Sequence, residues 1–547
     1  MDEWWRGSVT YQIYPRSFQD SNGDGVGDLP GITARLDHVA ALGVDAIWLS
    51  PIFPSPMADM GYDVSDYTDI DPVFGNLADF DAMVAKAHDL GLKVIIDQVL
   101  SHSSDRHPWF VESRSSRTNP RADWYVWTDP KPDGSPPSNW LSVFGGSAWE
   151  WDAGRRQYYL HNFLTSQPDL NFHNPAVQDA LLGTMRFWLE RGVDGFRLDT
   201  VNYYVHDRKL RSNPPAKRSD PLPPVNLYDV QDHRYDKNRP ENIAFLNRMR
   251  ALLDEYAGRT LVGEVGETSA KAVGIMAEYT KGDDRLHMAY SFDMLGNDYT
   301  PEVFRSRIET FFKGAPDGWP CWSFSNHDVV RHATRWGAHG TDTVALARQA
   351  AAMLLSFRGS VCLYQGEELG LTESELEFEE LTDPPGIRFW PEYKGRDGCR
   401  TPMPWEDGNE FSGFSTAKPW LPIKPAQAGM HVKAQTSDEV SVLSFYRRML
   451  AFRRTRPELR SGSMTFFRTD APVLAYLREA DGQATAGIFN LSPTPVEVSI
   501  RGLELLPAAP GQGAVVSGKA LELAGSGFAF LAPTGGLRGP KVRFKRN

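Results

Sequence analysis

The hexapeptide Asp194-Gly195-Phe196-Arg197-Leu198-Asp199 has the pattern of a short β-strand, in which successive side chains point to opposite faces. Arg197 and Asp199 therefore project from the same face, at the carboxyl end of the strand. A guanidinium close to a carboxylate favours the ionised form and lowers its pKa, so this pair predicts a carboxylate that stays charged at neutral pH, as a nucleophile requires. A structural ion pair gives the same pattern, and the rest of the chain has to decide between the two interpretations.

Apolar strands alternate with amphipathic helices on both sides of this hexapeptide. In residues 77–90 the apolar side chains recur with helical spacing, and Asn174-Pro175 has the form of an N-cap followed by a helix-initiating proline. Alternating β and α elements indicate a parallel sheet, and eight such units predict an α/β fold of the (β/α)8 TIM-barrel type. The predicted strands are residues 9–18, 46–50, 93–99, 195–200, 261–265, 290–294, 321–325 and 361–364. Further helices are predicted at 32–42, 242–256, 301–312, 341–356 and 438–453.

Two stretches interrupt this alternation. Residues 103–170 are rich in Trp, Tyr, Pro, Asp and Ser, and we interpret them as subdomain B, inserted after the third strand, because so long a structureless loop would be unusual. Residues 371–430 are a second irregular insertion, after the eighth strand. The catalytic barrel is then expected to comprise residues 1–102 and 171–455. Short alternating runs in residues 456–547 predict a C-terminal antiparallel β-sandwich domain.

The composition is that of a globular protein with an acidic balance. The 547 residues carry a formal net charge of −12, which argues against nucleic acid or an anionic membrane as the main partner. Three cysteines do not indicate a disulfide framework, and no stretch has the length and apolarity of a membrane span. The first residues also lack the pattern of a signal peptide. We therefore expect a cytoplasmic protein without nucleic-acid or membrane partners, as a monomer or homodimer.

Charged and polar side chains collect where the predicted strands end, which is where barrel active sites lie. Carboxylates and imidazoles that converge on one rim are hard to explain as solvated surface. Two carboxylates plus a third acidic group suit glycoside hydrolysis, in which one attacks the sugar and another protonates the leaving oxygen. The set consists of Asp97, His102, Arg197, Asp199, Glu264, His327 and Asp328.

The motifs around these residues resemble those of the α-amylase superfamily, glycoside hydrolase family 13. The resemblance spans nearly the whole chain, and its four motifs occur in order on the predicted strands. They are Asp97-Gln-Val-Leu-Ser-His102, Gly195-Phe-Arg-Leu-Asp199, Val262-Gly-Glu264 and Phe324-Ser-Asn-His-Asp328.

The resemblance implies a role for each of these residues. Asp199 would be the nucleophile, Glu264 the general acid/base, and Asp328 the carboxylate that holds the sugar hydroxyls. The glucose-binding subsite would be lined by Asp59, Tyr62, His102, Arg197 and His327.

Residues 167–171, Gln-Pro-Asp-Leu-Asn, resemble a further motif in the form found in the oligo-1,6-glucosidase subfamily of α-glucosidases, and this adds Gln167 to the substrate-binding set. The same resemblance implies that Phe144 and Phe163 close the pocket and that Arg400 faces the leaving group. Simple packing would explain the two phenylalanines equally well. Thr200 occupies a position where related α-1,6-specific enzymes tend to carry valine, so threonine favours α-1,4 linkages.

An acidic loop after the first strand predicts a structural metal site. Its oxygen ligands fall at alternate positions, as in an EF-hand loop, and related α-glucosidases hold a structural calcium there. Gly31 replaces the final glutamate of an EF-hand, so a helix–loop–helix sensor is not expected, and Ser101 argues against the calcium site of amylases, which commonly uses asparagine. The pattern does not separate Ca²⁺ from Mg²⁺, and a plain turn would share it. The predicted ligands are Asp20, Asn22, Asp24, Asp28 and the carbonyl of Val26.

The sequence as a whole therefore predicts a retaining α-glucosidase. It would release or transfer α-glucosyl units from the non-reducing end of a small oligosaccharide or other short α-glucoside, with maltose-type α-1,4 linkages preferred. Sucrose hydrolase, sucrose isomerase and trehalose synthase are alternatives that the same motifs permit. A more remote alternative is a non-enzymatic module like the heavy subunits of amino-acid transporters, which carry a membrane span and have lost the catalytic residues.

Overall fold

Eight parallel strands form a nearly closed barrel in the computed structural model, which describes residues 3–218, 222–267, 269–408, 410–534 and 541–544. Three further strands, β4 to β6, lie in the insertion after the third barrel strand. The strands up to residue 364 are β1 (Val9–Ile13), β2 (Ala46–Leu49), β3 (Lys93–Gln98), β4 (Trp127–Thr128), β5 (Trp149–Asp152), β6 (Gln157–Leu160), β7 (Gly195–Leu198), β8 (Thr260–Val265), β9 (Met288–Ser291), β10 (Cys321–Trp322) and β11 (Ser360–Tyr364).

The barrel strands follow the order β10-β11-β1-β2-β3-β7-β8-β9. Neighbouring strands in this order pair in parallel. A parallel bridge from Ala289 in β9 to Pro320, just before β10, brings the two ends of the order together. The predicted fold class is therefore confirmed.

Helices alternate with these strands, and several begin at residues that satisfy free backbone N–H groups. They are α1 (Leu29–Leu42), α2 (Leu77–Asp89), α3 (Pro108–Ser115), α4 (Pro175–Glu190), α5 (Asn242–Leu253), α6 (Ser269–Thr280), α7 (Pro301–Gly314), α8 (His332–Arg335), α9 (Thr343–Leu354), α10 (Pro384–Arg388), α11 (Asp397–Arg400), α12 (Pro425–Ala428), α13 (Val432–Ser437), α14 (Val442–Arg454) and α15 (Pro457–Arg460). Asn76 and Asp79 form a capping box at α2, and Asn174 caps α4 as predicted. None of the described helices combines the length and apolar character that a membrane crossing needs.

The sequence prediction missed α6 and made β10 too long. Two of the five apolar side chains that are buried in the described part of α6 belong to alanines, and Gly274 lies in the helix interior, so the apolar signal of this segment is weak and its helix propensity low. Pairing in β10 ends at Trp322. Beyond it the Asn326 side chain accepts a hydrogen bond from the Asp328 N–H at 2.9 Å, and this turn takes the chain out of the sheet.

The insertion after β3 contains a three-stranded antiparallel sheet in the order β4-β6-β5. A bridge from His102 to Asp169 and a hydrogen bond from the Leu170 N–H to the Ser101 carbonyl at 3.0 Å tie it to the segment that follows β3. The insertion therefore lies directly beside the carboxyl ends of the barrel strands.

The C-terminal part of the chain is an antiparallel sheet in which β18 pairs with β14, β15, β16 and β17. Some of its apolar side chains form a cluster of their own, whereas others, among them Tyr476, Phe489 and Phe528, belong to the core of the barrel. Its strands are β12 (Ser463–Phe466), β13 (Val473–Ala480), β14 (Gln483–Asn490), β15 (Val496–Arg501), β16 (Leu503–Leu505), β17 (Gln512–Ser517), β18 (Ala520–Pro533) and β19 (Lys541–Phe544).

The register of three neighbouring barrel strands places the functional groups side by side. Asp97 in β3 pairs with Arg197 in β7, and Arg197 pairs with Val262 in β8, two residues before Glu264. Gly195 permits the close approach of β7 and β8, since a Cβ atom there would lie 2.5 Å from the Thr260 carbonyl oxygen.

Candidate active site

Arg197 joins three carboxylates at the carboxyl ends of β3, β7 and β8. Its Nη1 lies 2.9 Å from Asp97 and 2.7 Å from Asp199, and its Nη2 lies 2.6 Å from Glu264. The guanidinium is fully buried and also receives support from Tyr290, whose hydroxyl oxygen accepts its Nε hydrogen at 3.0 Å. One cation thus holds three acidic groups that come from different strands.

Burial of these carboxylates opposes their ionisation more strongly than Arg197 favours it. Burial raises the pKa of Asp97 to about 6 and of both Asp199 and Glu264 to about 7, while the guanidinium acts in the opposite direction. The expectation that Arg197 leaves Asp199 with a lowered pKa is therefore wrong, because burial outweighs the effect of the guanidinium and the nearby Asp97 carboxylate adds to the effect of burial. The cluster instead retains a proton close to neutral pH.

Asp328 lies in a different electrostatic environment. Its Oδ1 is 3.0 Å from Arg400 Nη2 and 3.2 Å from Arg396 Nη1. Burial opposes its ionisation, but His327, Arg396 and Arg400 outweigh that effect and hold the pKa of Asp328 well below its usual range. This carboxylate therefore stays ionised while the Arg197 cluster keeps a proton.

Charged groups also close the end of the site beside Asp328. Arg396 Nη2 lies 2.8 Å from Asp59 Oδ1, and Gln167 Nε2 donates to Asp59 Oδ2 at 3.1 Å and lies 3.2 Å from His102 Nε2. These contacts link the insertion after β3 to the helix α11 region.

Tyr62 connects this end of the site to the Arg197 cluster. Its hydroxyl donates to Asp97 Oδ2 at 3.2 Å and lies 2.6 Å from His327 Nε2. The Tyr62 and His327 rings are stacked with centroids 5.3 Å apart. The two clusters are thus parts of one hydrogen-bonded wall.

These side chains surround a cavity of about 600 Å³. The residues predicted from the sequence that line it are Asp59, Tyr62, His102, Phe144, Phe163, Asp199, Thr200, Glu264 and Asp328. Gln167, Arg197, His327 and Arg400 lie behind the lining and act on it through the contacts above. Arg400 in particular is buried against Asp328 and the His327 carbonyl, and it is Arg396 that reaches the cavity.

The two phenylalanines from the insertion both line the cavity and pack together. The Phe163 ring centroid lies 5.6 Å from that of Phe144 and 5.1 Å from that of His102. The Arg396 guanidinium lies 5.1 Å from the Phe144 ring centroid. Packing and pocket formation are therefore compatible at these positions.

Thr200 follows the last residue of the hexapeptide in a left-handed backbone conformation, with φ of 41°. Its backbone N–H donates to Glu264 Oε2 at 3.0 Å, and its hydroxyl donates to Asp199 Oδ2 at 3.2 Å. The hydroxyl also lies 3.0 Å from Ser101 Oγ. One residue therefore contacts both carboxylates that could carry chemistry.

Comparison with known proteins agrees with this geometry. The model of the α-amylase catalytic-domain family matches residues 12–462, a span that contains both charged clusters and the cavity. This chain belongs to the α-amylase family.

Relatives in this family match nearly the full chain. A probable α-glucosidase of Rhizobium meliloti (strain 1021) is 60% identical over 495 residues, which cover 90% of each protein. An oligo-1,6-glucosidase of Heyndrickxia coagulans is 37% identical over 533 residues, covering 91% of this chain and 93% of the relative. The crystal structure of an α-glucosyl transfer enzyme superposes with a TM-score of 0.94 at 53% identity, covering 97% of this chain and 100% of that one.

Sequence reasoning missed several residues of this family member's cavity. Arg396, Tyr228, Lys237, Phe389 and Tyr393 all line it. They come from two long irregular segments, 204–241 and 371–430, which have no period that places a side chain. A usable signal existed only for Arg396, which stands four residues before Arg400 at the start of α11.

The acidic loop after β1 is stabilised by hydrogen bonds of its own. Asp20 accepts backbone N–H groups of Asn22, Gly23 and Gly25 at 2.7–3.0 Å, and Asp28 caps α1. The atoms that this loop could offer as metal ligands are all oxygens, which suit Ca²⁺ or Mg²⁺. Among the described residues, however, no three His, Cys, Asp or Glu side chains are grouped as a metal site.

Replacing Arg197 by methionine should destabilise the fold in a pH-dependent way. Removing one partner of a buried ion pair costs about 3–5 kcal/mol, and here three carboxylates lose their cation. These groups already have raised pKa values, so their protonated forms are favoured in the fold, and the loss should grow as pH rises from about 5 to about 8. Chemical denaturation at both pH values measures the difference.

Arg191→Met is the matched control. Arg191 forms a surface ion pair with Asp81 at 2.8 Å, and exposed pairs contribute roughly 0–1 kcal/mol. We expect a small change at both pH values. Equal destabilisation of Arg197→Met at low and high pH would contradict the shared-cation interpretation.

Proposed function

We propose that this chain is a retaining α-glucosidase that removes single α-glucosyl units from the non-reducing end of short α-glucosides and also transfers them. The observation that carries the proposal is that Asp199 and Glu264 both contact one guanidinium at the wall of one cavity. Retaining glycosidases use two carboxyl groups about 5–5.5 Å apart, and a shared guanidinium is compatible with so short a separation. The names of the α-glucosidase and α-glucosyl transfer relatives support the same conclusion.

The proposed reaction is a double displacement. The Asp199 carboxylate attacks the anomeric carbon while Glu264 gives its proton to the glycosidic oxygen, and the aglycone leaves. Glu264, now a carboxylate, takes a proton from water or a sugar hydroxyl, whose oxygen attacks the same carbon and frees Asp199. The pKa of about 7 for Glu264 suits a group that must give and then take a proton near neutral pH.

The second charged cluster would hold the glucosyl unit. Asp59, Arg396 and Asp328 form a chain of ion pairs at one end of the cavity, where carboxylate and guanidinium groups can bind sugar hydroxyls. A closed end of this kind accepts a terminal sugar and excludes a chain that continues. This supports action on terminal rather than internal linkages.

The experiment that tests the proposal is incubation with maltose, isomaltose, sucrose and trehalose in separate reactions, with product anomers followed by NMR. We expect α-glucose as the first product, since two inversions restore the original configuration. Release of β-glucose from sucrose or trehalose ahead of mutarotation would contradict retention, whereas maltose and isomaltose also release their reducing-end glucose in the anomer that it already had. Isomerised or transferred disaccharides as the main products from sucrose or maltose would instead favour the isomerase or synthase alternatives.

Removal of either catalytic group should abolish turnover without loss of the fold. We expect Asp199→Ala and Glu264→Gln each to lower kcat on maltose by several orders of magnitude, because each role is needed in both steps. Glu392→Gln is the control, since Glu392 is a carboxylate at the cavity wall without a proposed role. More than about a tenth of wild-type activity in either catalytic variant would remove that residue from its role.

Linkage preference should depend on the side chain of Thr200, whose hydroxyl donates to Asp199 Oδ2 and is replaced by a methyl group of similar size in Thr200→Val. We expect a higher kcat/KM for maltose than for isomaltose, by roughly ten- to two-hundredfold at most, and Thr200→Val should narrow the difference. Ser101→Ala is the control, because it removes one hydroxyl partner of Thr200 and leaves the Thr200 side chain itself unchanged. Equal specificity constants for the two sugars in the wild-type enzyme would contradict the role of Thr200.

We also propose that the loop after β1 binds one structural calcium or magnesium ion through Asp20, Asn22, Asp24, Asp28 and the Val26 carbonyl. The alternate spacing and the oxygen donors support this. The loop does not face the sugar site, so the ion would supply stability rather than chemistry.

Chelation should therefore lower the melting temperature, with activity lost only as the fold loosens. Asp24→Asn keeps the oxygen that accepts the Val26 N–H but removes a ligand charge. We expect this variant to melt lower than the wild type and to respond less to chelation. If chelation leaves the melting temperature unchanged and elemental analysis finds no metal, the loop is a self-contained turn.

Cellular location and assembly are further proposals. We propose a cytoplasmic enzyme that acts as a monomer or homodimer. Cys321, Cys362 and Cys399 are free and buried, as is common for proteins of a reducing compartment.

A further inference from the structure

A buried lysine in the cavity wall has hydrogen bonds and an ion pair that go to groups other than the catalytic carboxylates. Lys237 is 3% exposed, and it belongs to the long segment between β7 and α5. Its Nζ donates to the Tyr203 hydroxyl at 3.0 Å and to the Gly266 carbonyl at 2.9 Å, and it lies 3.5 Å from Glu267 Oε2. Burying an ammonium is costly unless it is paired, so these contacts must hold it in place.

The partners of Lys237 come from three different segments. Tyr203 follows the strand that carries Asp199, Gly266 follows the strand that carries Glu264, and Tyr228 belongs to the same long segment as Lys237. The ammonium lies 4.7 Å from the Tyr203 ring centroid and 5.4 Å from that of Tyr228, within the range of cation–π attraction. The two tyrosine hydroxyls are 2.9 Å apart.

All of these groups line the same cavity, on a wall distinct from its charged closed end. The closed end is formed by Asp59, Arg396 and Asp328, and the hydrogen bonds and ion pair of Lys237 go to none of them. Lys237 thus joins the segments of the other wall, which the leaving group and the incoming acceptor would contact.

The backbone beside Lys237 is fixed independently of its side chain. The Asn238 N–H donates to the Asn202 carbonyl at 2.8 Å, and Asn202 Nδ2 donates to Asn238 Oδ1 at 2.7 Å. The Tyr228 ring also stacks on His233 with centroids 3.7 Å apart. Replacing the Lys237 side chain should therefore alter the wall without releasing the segment.

We propose that Lys237 is a positioning residue for the acceptor half of the cavity, where its ammonium holds Tyr203, Tyr228 and the Gly266–Glu267 backbone in one wall. This inference rests on the proposed α-glucosidase function. It assigns to Lys237 an effect on the binding of the leaving group and acceptor, and none on the binding of the glucosyl unit.

Two glucosyl donor substrates with different leaving groups distinguish an effect on the binding of the leaving group from an effect on the binding of the glucosyl unit. The leaving group of maltose is a glucose that must contact the wall. The leaving group of α-glucosyl fluoride is a single fluoride ion, which does not reach it. We expect Lys237→Met to lower kcat/KM for maltose by roughly ten- to hundredfold and to leave that for α-glucosyl fluoride nearly unchanged. Transfer to added glucose, relative to hydrolysis, should fall as well.

Lys271→Met is the matched control. Lys271 lies 3.3 Å from the same Glu267 carboxylate but has a side chain that is 43% exposed on α6, and it does not line the cavity. We expect wild-type values with both donors.

Parallel losses on both donors would overturn the inference, since they indicate a general structural role, and so would wild-type behaviour on both. If Lys237→Met does not fold, Tyr203→Phe decides by the same ratio, because it removes one acceptor of the ammonium and keeps the charge. A ratio unchanged in Tyr203→Phe would then overturn the inference. Failure of the wild-type protein to turn over either donor would overturn the proposed function, and this inference with it.

Discussion

One guanidinium shared by three buried carboxylates is the interaction on which the site depends. Arg197 reaches Asp97, Asp199 and Glu264 together because the register of three neighbouring parallel strands places their carboxyl ends side by side. Since one positive charge does not neutralise three acids, the cluster keeps a proton at a pH where isolated carboxylates would have lost theirs. The barrel therefore supplies an acid and a potential nucleophile at the same place.

A second cluster has the opposite balance, with Arg396 and Arg400 both on Asp328. Its carboxylate remains ionised where Glu264 does not, although burial opposes the ionisation of both. Because their surroundings push the pKa values of these carboxyl groups apart, Asp328 can accept hydrogen bonds from sugar hydroxyls while the Arg197 cluster can supply a proton. Tyr62 and His327 connect the two clusters, so the position of the bound sugar and the protonation of the acid are set by one continuous wall.

The sequence was sufficient to predict the site residues that lie on strands, where side chains alternate regularly. Asp97, Arg197 and Glu264 lie on strands, and strand order and alternation place them on one rim. Arg396 and Lys237 lie in long irregular segments, where no period indicates the path of the chain, and both were missed. The pKa of Asp199 was predicted in the wrong direction because the adjacent Arg197 is visible in the sequence, whereas burial and the competing acids on other strands are not.

The left-handed conformation of Thr200 assigns the orientation of Glu264 to the main chain and leaves contact with the substrate to the side chain. A β-branched residue is uncommon in that region, and holding it there costs about 1–3 kcal/mol, yet the conformation aims the backbone N–H at Glu264. Because the acid is oriented by the main chain, the side chain at this position can change in evolution without releasing it. New glucoside preferences could then arise by single substitutions at residue 200, while the chemistry beside it is inherited intact.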